Sequence, residues 1–270
     1  SNISEKLNGC RQTQSFLSGM QSTITIGENW SQGRTVYGGI SSAVLFECLA
    51  HQITDQRPIK TLNVNFVGPL LCNEPFTVKV ETLRVGKNVS QYIAYAIQHD
   101  KNCVVMQACF ARNRQSKARV ENCEKHDFEL PKKATFIPPI PKVTPKFLRQ
   151  FDLAIQSGGI PFTGQKSAHY KGWFRFKQPT KAFTFTHLVG LLDAYPPTLI
   201  QMLKWPTPAS TINWNVEFLE SDTPYDSQDW FAYHDDTRHA HHGYGITEAN
   251  IWDKHGKLIA ISRQRVGVFD

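Results

Sequence analysis

Apolar residues between positions 40 and 54 fall on nearly every face of a helix. They include Leu45, Phe46 and Leu49, and Gly38 begins a glycine pair just before the segment. A surface helix shows an apolar stripe on one side only, whereas a helix that is apolar all round is buried. The pattern therefore predicts a helix inside the core of the first half of the chain.

Four segments with strand composition follow this helix, and much of their sequence alternates between apolar and polar residues. A further segment of this kind, residues 22–29, precedes the helix. The four segments cover residues 61–70, 76–85, 89–98 and 103–112. Turns at 86–87 and 100–102 separate the last three, so we expect a buried helix followed by an antiparallel meander.

The second half of the chain repeats this order. Strand-like segments at 151–156 and 170–177 precede an apolar helical segment at 187–195, and more strands follow it. These later strands cover residues 211–220, 229–236, 241–253 and 257–269. Residues 61–65 (TLNVN) and 211–215 (TINWN) share three identities in five positions, which indicates an internal repeat.

Between the halves, residues 113–146 are first charged and then carry five prolines from Pro131 to Pro145. Proline fixes φ and removes an amide donor, so this stretch should run extended over the surface. The repeat and the linker predict an α+β fold: a tandem, or double, hot-dog in which each curved antiparallel sheet wraps around one long buried helix. The expected N-terminal hot-dog spans 1–115, the proline-rich linker 116–145 and the C-terminal hot-dog 146–270.

Composition places the chain among globular proteins, since 40% of its 270 residues are hydrophobic and 20% are charged. No run approaches the roughly 18 consecutive apolar residues of a membrane span, and the N-terminal residues lack the apolar stretch of a signal peptide. We therefore expect no membrane span and a cytoplasmic location. The net charge of +7 accompanies no nucleic-acid-binding motif, so we expect no nucleic-acid partner.

The six cysteines all lie within the first 123 residues, with no CxxC pair and no zinc-site spacing. We expect reduced thiols there and no metal. Several histidines between His234 and His242 lie near Asp235 and Asp236, but the adjacent His241 and His242 would point to opposite faces of a strand. We expect polar strand ends here rather than a metal site.

Five pieces of the chain resemble one known family in the same order. They are GRTVYGGISSAVL (33–45), VETLRVGKNVS (80–90), LLDAY (191–195), STINWNVEF (210–218) and LIAISRQRVGV (258–268). In these pieces the chain is similar to the TesB-like acyl-CoA thioesterases (thioesterase II), which have a double hot-dog fold. The resemblance implies an enzyme that hydrolyses fatty or related acyl-CoA to free acid and CoA by direct attack of water, without a cofactor and as a homodimer.

The resemblance also implies the catalytic residues. In that family an Asp on the second helix, a Thr or Ser on the next strand and a Gln on the last strand hold the attacking water. The positions that match are Asp193, Thr211 and Gln264. Ile40 stands where many relatives carry a Gln, and arginines flank Gln264, which bears on acyl-chain preference more than on chemistry.

These residue types suit the chemistry. Asp193 is the only acid in an apolar segment, and burial raises the pKa of a carboxyl group and makes it a better base. Thr211 and Gln264 supply a hydroxyl and an amide, which can orient a water without competing for its proton. Backbone amides at the start of a buried helix can stabilise the oxyanion. The structural alternative is that Asp193 caps a strand or pairs with Arg263 or Arg265.

The repeat predicts one site per chain. Thr61 aligns with Thr211, but the last strands set Gln264 against Phe110, so the first unit lacks the complete set. Glu47, on the first helix, is the alternative catalytic acid, and otherwise a paired or helix-lining residue.

Two other functions stay open at this stage. A hot-dog enoyl-CoA hydratase or dehydratase needs an Asp and a His paired across the site, but no His follows Asp193 at short helical spacing, where Pro197 and Thr198 stand. A non-catalytic acyl-CoA-binding module would bind the thioester without releasing thiol.

Overall fold

The computed structural model describes residues 22–132, 144–219 and 224–270. The first half contains helix α1 (Gly38–Ala50) and strands β1 (Ser22–Ile24), β2 (Ser31–Gln32), β3 (Thr35–Val36), β4 (Ile59–Phe66), β5 (Phe76–Val85), β6 (Val89–Gln98) and β7 (Lys101–Ala111). The second half contains helix α2 (Phe185–Leu192) and strands β8 (Phe151–Ser157), β9 (His169–Phe176), β10 (Ala209–Phe218), β11 (Phe231–His241), β12 (Tyr244–Trp252) and β13 (Leu258–Val268). Short 3-10 turns cover Glu28–Trp30, Lys146–Gln150 and Thr198–Met202.

Within the described ranges, eleven strands form one sheet in the order β1-β5-β6-β7-β4-β10-β13-β12-β11-β9-β8, while β2 and β3 pair separately. Each pairing is antiparallel. The two halves meet where β4 pairs with β10, with Asn63 opposite Asn215. The sheet therefore continues from one half into the other.

The predicted meanders are present in both halves. β5 and β6 have the predicted bounds, and the other meander strands differ from the prediction by a few residues at their ends. The turn between β6 and β7 lies at His99 and Asp100, whose φ angles are 51° and 61°, so Lys101 already belongs to β7. Two positive φ angles match the twist of a two-residue hairpin loop, which explains why this turn is shorter than predicted.

The two helices differ in length. α1 has 13 residues, and Ala43, Val44 and Leu45 are completely buried, as the all-round apolar pattern predicts. α2 has only eight residues and ends at Leu192, so the expectation of a long helix is wrong for the second half. A proline pair follows at Pro196, and proline cannot continue a helix.

The helices pack against each other in opposite directions. At one end the Tyr37 hydroxyl, just before α1, donates to the Gly190 carbonyl at 2.9 Å. At the other end the Thr186 hydroxyl, at the start of α2, donates to the Glu47 carboxylate at 2.5 Å. The beginning of each helix therefore lies near the end of the other.

Matching β-bulges relate the two halves. β4 has a bulge between Ile59 and Thr61 against β7, and β10 has one between Thr211 and Asn213 against β13. Ile59 therefore occupies in the first half the place that Thr211 occupies in the second. The predicted alignment of Thr61 with Thr211 is wrong by two residues, because short identical sequences do not show where a bulge lies.

The same register changes which residue of the first half is equivalent to Gln264. Leu62 pairs with Ala108 in the first half, and Trp214 pairs with Gln264 in the second. Since Leu62 and Trp214 each lie three residues after the bulge-initiating residue, Ala108 is the equivalent of Gln264. The predicted counterpart, Phe110, is wrong.

The segment between the halves covers part of the sheet. Most of its prolines fall in residues 133–143, outside the described residues, whereas residues 112–132 are described and form no helix or strand. Phe128 packs against Trp173 and Trp252 on the outer face of the second half. Both indole NH groups donate to backbone carbonyls of this segment, at 2.7 and 3.0 Å. The described part is therefore attached to the sheet.

Cys48 is disulfide-bonded, so the expectation of reduced thiols throughout is wrong. The free cysteines of the described ranges are Cys72, Cys103, Cys109 and Cys123, and Cys10 lies outside them. Neither helix in the described ranges is long and apolar enough to cross a membrane. The same ranges contain no group of three His, Cys, Asp or Glu side chains placed to hold a metal ion.

Candidate active site

Asp193 is the residue directly after α2, with φ −98° and ψ 10°. The helix is fixed at its start by Thr184, whose backbone amide donates to His187 Nδ1 at 3.2 Å. Its apolar residues, including Leu188 and Leu191, are buried. The end of this short, buried helix thus places a carboxyl group in the interior. Asp193 was predicted to lie on the helix, and in the structure it lies one residue after the helix ends.

The β-bulge in β10 turns Thr211 toward the same interior. Trp214 and Val216 point inward, so strict alternation would place Ile212 inside and Thr211 outside. The extra residue at the bulge reverses this order, and Ile212 is exposed instead. Thr211 therefore faces the interior beside Gln264 on the neighbouring strand β13.

The three predicted residues form one chain of hydrogen bonds. The Thr211 hydroxyl donates to Gln264 Oε1 at 2.8 Å. Gln264 Nε2 in turn donates to Asp193 Oδ1 at 2.6 Å. The hydroxyl fixes which way the amide points, and the amide leaves the second carboxylate oxygen free of this chain.

Burial sets the basicity of Asp193. The carboxyl group is partly exposed to a pocket but is otherwise enclosed by protein. Desolvation raises its pKa to about 7, and the hydrogen bond from Gln264 offsets part of that rise. A carboxyl group with such a pKa accepts a proton near neutral pH and is well matched to a general base.

The start of α1 completes the site from the first half of the chain. A Cβ atom placed on Gly38 would lie 3.0 Å from Asp193 Oδ2 and 3.0 Å from Phe66 Cζ. The second carboxylate oxygen therefore faces the first turn of α1, where backbone amides have no partner within the helix. Only glycine leaves this space open.

A pocket of about 360 Å³ opens onto these groups. Asp193, Thr211, Gly38 and Phe66 are among the residues that line it. A second, largely apolar cavity of about 630 Å³ adjoins the pocket, because Gln32 and Ala209 line both. The pocket therefore has a polar end at Asp193 and Thr211 and an apolar extension.

The flanking arginines do not pair with Asp193. Arg263 Nη2 lies 2.6 Å from Glu248 Oε2 on the outer face of the sheet, and Arg265 is exposed. Alternation along β13 sends both arginines away from Gln264. The structural alternative of an Asp193–arginine pair is therefore wrong.

Glu47 lies at the opposite end of the helix pair. It is buried, accepts a hydrogen bond from the Thr186 hydroxyl, and has His51 Nε2 at 3.4 Å. Since each helix end faces the start of the other helix, Glu47 is the counterpart of Asp193. Its surroundings differ, because Ile59 and Ala108 stand at the places of Thr211 and Gln264.

Comparison with known families assigns both halves of the chain. The family model for the acyl-CoA thioesterase C-terminal domain matches residues 120–268, and the model for the N-terminal domain matches residues 26–111. The chain belongs to the acyl-CoA thioesterase family. This confirms the predicted TesB-like resemblance, and it confirms acyl-CoA hydrolysis over the hydratase and binding-module alternatives.

Individual relatives agree with this assignment. The acyl-CoA thioesterase 2 of Haemophilus influenzae is 25% identical over 261 residues, covering 88% of this chain and 89% of its own. A hot-dog-fold protein of unknown function from Alicyclobacillus acidocaldarius is 20% identical, with TM-score 0.79 over 94% of this chain and 95% of its own. The acyl-CoA thioesterase II TesB2 of Mycobacterium marinum is 15% identical, with TM-score 0.70 over 92% and 93%. This thioesterase therefore has a hot-dog fold.

Sequence reasoning missed how the first half contributes to the site. The glycine pair at Gly38 signalled a helix start, but nothing in the pattern showed that the start would meet Asp193. The bulge that turns Thr211 inward left no sequence signal that we identified. Asp235, a second buried carboxyl group near the site, was predicted only as a polar strand end.

Proposed function

We propose that Asp193, Thr211 and Gln264 hold and activate the water that hydrolyses the acyl-CoA thioester. The observation that carries this proposal is the hydrogen-bond chain from Thr211 through Gln264 to Asp193. It occupies one carboxylate oxygen and leaves Oδ2 facing the pocket. A water bound at Oδ2 lies between the base and the start of α1, where the thioester carbonyl has room.

Ionised Asp193 removes a proton from this water as the water oxygen attacks the carbonyl carbon. The new C–O bond gives a tetrahedral intermediate whose oxyanion lies near the first amides of α1. The C–S bond then breaks, and the CoA thiolate leaves with the electron pair. A thiolate is a stable leaving group, so the site needs no strong general acid. The proton held by Asp193 passes to the products or to solvent.

The apolar cavity receives the acyl chain in this proposal. Its wall includes Phe147, Leu148, Ile160, Phe162, Ile200 and Pro208. Because it adjoins the catalytic pocket at Ala209, a carbonyl carbon next to Asp193 can direct its alkyl tail into the cavity. Each buried methylene contributes about 0.8 kcal/mol, which favours fatty acyl groups over acetyl.

Thiol release from short, medium and long acyl-CoAs tests the catalytic proposal. Asp193→Asn should lower kcat by a hundredfold or more, on the order expected for losing a general base. Glu47→Gln is the matched control, because Glu47 is the counterpart acid at the other end of the helix pair. Activity that survives Asp193→Asn and disappears in Glu47→Gln would place the base at Glu47 and contradict the proposal.

Narrowing the passage at Ala209 tests the acyl cavity. Ala209→Phe should raise KM for long-chain acyl-CoA and leave acetyl-CoA turnover nearly unchanged, because only a long tail has to pass this position. Ala118→Phe, at an exposed position, is the control. Equal effects on all chain lengths would show that the tail does not enter this cavity.

The tandem hot-dog architecture is part of the proposal. It is supported by the repeated order of elements, the matching bulges and the pairing of β4 with β10. In this proposal residues 1–115 and 146–270 are the two units, residues 116–145 are the linker, and one catalytic site serves each chain. We also propose a homodimer, which the family resemblance implies, and a cytoplasmic location. Light scattering that gives only the 30.7 kDa monomer would contradict the dimer.

A further inference from the structure

A second carboxyl group is buried close to the catalytic residues. Asp235 lies on β11, points into the interior, and accepts a hydrogen bond from the Tyr233 hydroxyl at Oδ2, at 2.8 Å. On the neighbouring strand β12, Ala249 pairs with Asp235, and Thr247 lies two residues before Ala249 on the same face. Oδ1 has no hydrogen-bond partner among the described residues. A buried carboxylate with one oxygen unpartnered is costly, so the neutral acid is favoured here.

Two routes connect Asp235 to the catalytic residues. Thr247 pairs directly with Gln264 across β12 and β13, and Ala249, two residues further along β12, pairs with Asp235 on β11. Gln264, which donates to Asp193, and Asp235 therefore lie on the strands that flank β12. On the other side, Tyr195 follows Asp193 by two positions and stacks on Tyr233, with ring centroids 4.3 Å apart. The two carboxyl groups therefore lie in the same interior region, connected through Gln264 on one side and the Tyr195–Tyr233 stack on the other.

The other titratable groups around Asp235 are mainly tyrosines. Tyr233 faces it from β11 and Tyr170 from β9, and Tyr195, in the segment after α2, packs against both of these rings. Burial raises the pKa of all three hydroxyls, so they remain neutral while the carboxyl groups titrate. Two further carboxyl groups raise the pKa of Asp235. Asp236 lies on the outer face of the sheet, where it pairs with His234, and Asp193 lies in the interior.

We propose that Asp235 is a positioning residue that must stay neutral for the thioesterase to work, and that its ionisation causes the fall in activity at alkaline pH. This inference rests on Asp193 being the base proposed above. Asp193 has a donor in Gln264 and access to pocket water, so it ionises first. A second negative charge in the same compartment then opposes the developing oxyanion and the anionic substrate.

The ionisation of the pair is coupled. Burial is the main cause that raises the pKa of Asp235 to about 7; the Tyr233 hydrogen bond opposes this rise, and the charges of Asp236 and Asp193 add to it. Such a pair loses its protons in two steps that belong to both groups. Activity should therefore rise as the first proton leaves and fall as the second one leaves.

The pH dependence of kcat in three variants tests this. The kcat of Asp235→Asn should still rise with pH on the acid side but should no longer fall on the alkaline side (the alkaline limb of the profile). Above the pH at which wild-type kcat begins to fall, the kcat of this variant should exceed that of wild type by roughly tenfold for each pH unit. Tyr233→Phe should move the alkaline limb to higher pH, because the lost hydrogen bond favoured the ionised form. Asp236→Asn should retain the alkaline fall in kcat and shift it to slightly lower pH. A wild-type alkaline limb in both Asp235→Asn and Tyr233→Phe would overturn the proposal.

A titration without substrate separates this inference from the proposed function. Carbon-13 NMR of aspartate carboxyl groups in the free protein follows Asp235 directly. Asp193→Asn should lower the midpoint of the Asp235 titration, since the neighbouring charge is gone. An unchanged midpoint would overturn the coupling even if the wild type hydrolyses acyl-CoA. A lowered midpoint in a protein that releases no thiol would leave the coupling standing and contradict the function.

Discussion

At the scale of single residues, the site depends on one position that has no side chain. Gly38 leaves open the space between Asp193 Oδ2 and the ring of Phe66, which is where the proposed mechanism places the attacking water. Thr211 and Gln264 then fix the remaining carboxylate oxygen. Catalytic geometry is sensitive to such details, because a displacement of about 1 Å costs roughly a hundredfold in rate.

Gly38→Ala tests this directly. The added methyl group would lie 3.0 Å from both neighbouring side chains, so the carboxylate or the water must move. We expect kcat/KM for acyl-CoA to fall by roughly a hundredfold while the thermal midpoint of unfolding changes little. Gly27→Ala is the control, since a Cβ atom there meets nothing within 4 Å. Equal activity in both variants would contradict the assigned role of Gly38.

At the scale of elements, the oppositely directed helices α1 and α2 place one carboxyl group at each end of the helix pair. Only one of these two groups has the hydrogen-bond partners proposed for catalysis. Asp193 has the amide and hydroxyl partners, whereas Glu47 accepts a hydrogen bond from Thr186, and the places equivalent to Thr211 and Gln264 are held by Ile59 and Ala108. We therefore assign the Glu47 end to stabilising the contact between the helices.

Thr186→Val separates stability from catalysis at this contact. The variant leaves a buried carboxylate without its hydroxyl donor, so the free energy of unfolding in urea should fall by about 2 kcal/mol. Thr61→Val is the control, because Thr61 donates to Glu217 at the exposed face of the sheet. The folded fraction of Thr186→Val should retain its kcat. A large loss of kcat with unchanged stability would indicate a second catalytic site at Glu47.

At the scale of the whole molecule, the site joins both halves, and this limits what the sequence can predict. Periodicity predicted β5 and β6 to the residue, because each hairpin strand is bounded by local turn signals. The bulge before Asn213 depends on pairing between β10 and β13, about 50 residues apart, and the meeting of Gly38 with Asp193 joins positions about 150 residues apart. The family resemblance supplied the three site residues, whereas the pattern alone left Asp193 open to a structural role.

The two buried carboxyl groups also predict how the stability of the whole fold depends on pH. The pKa values of Asp193 and Asp235 are raised to about 7 in the folded protein, so the native state retains protons that the unfolded chain has released. The free energy of unfolding should therefore be highest near pH 4 and fall as pH rises through about 7. Urea unfolding across this range measures the slope.

Asp235→Asn removes one of the two contributions. Relative to wild type, the stability of the variant should improve by on the order of 3 kcal/mol as pH rises from about 4 to about 8, because an amide has no proton to lose. Asp100→Asn, in the exposed turn between β6 and β7, should follow the wild-type curve. A constant difference between Asp235→Asn and wild type across this range would mean that Asp235 is already ionised at low pH in the folded state. The raised pKa of Asp235 thus lowers the stability of the fold at neutral pH. Such a cost is expected of a site that holds a neutral acid beside a catalytic base.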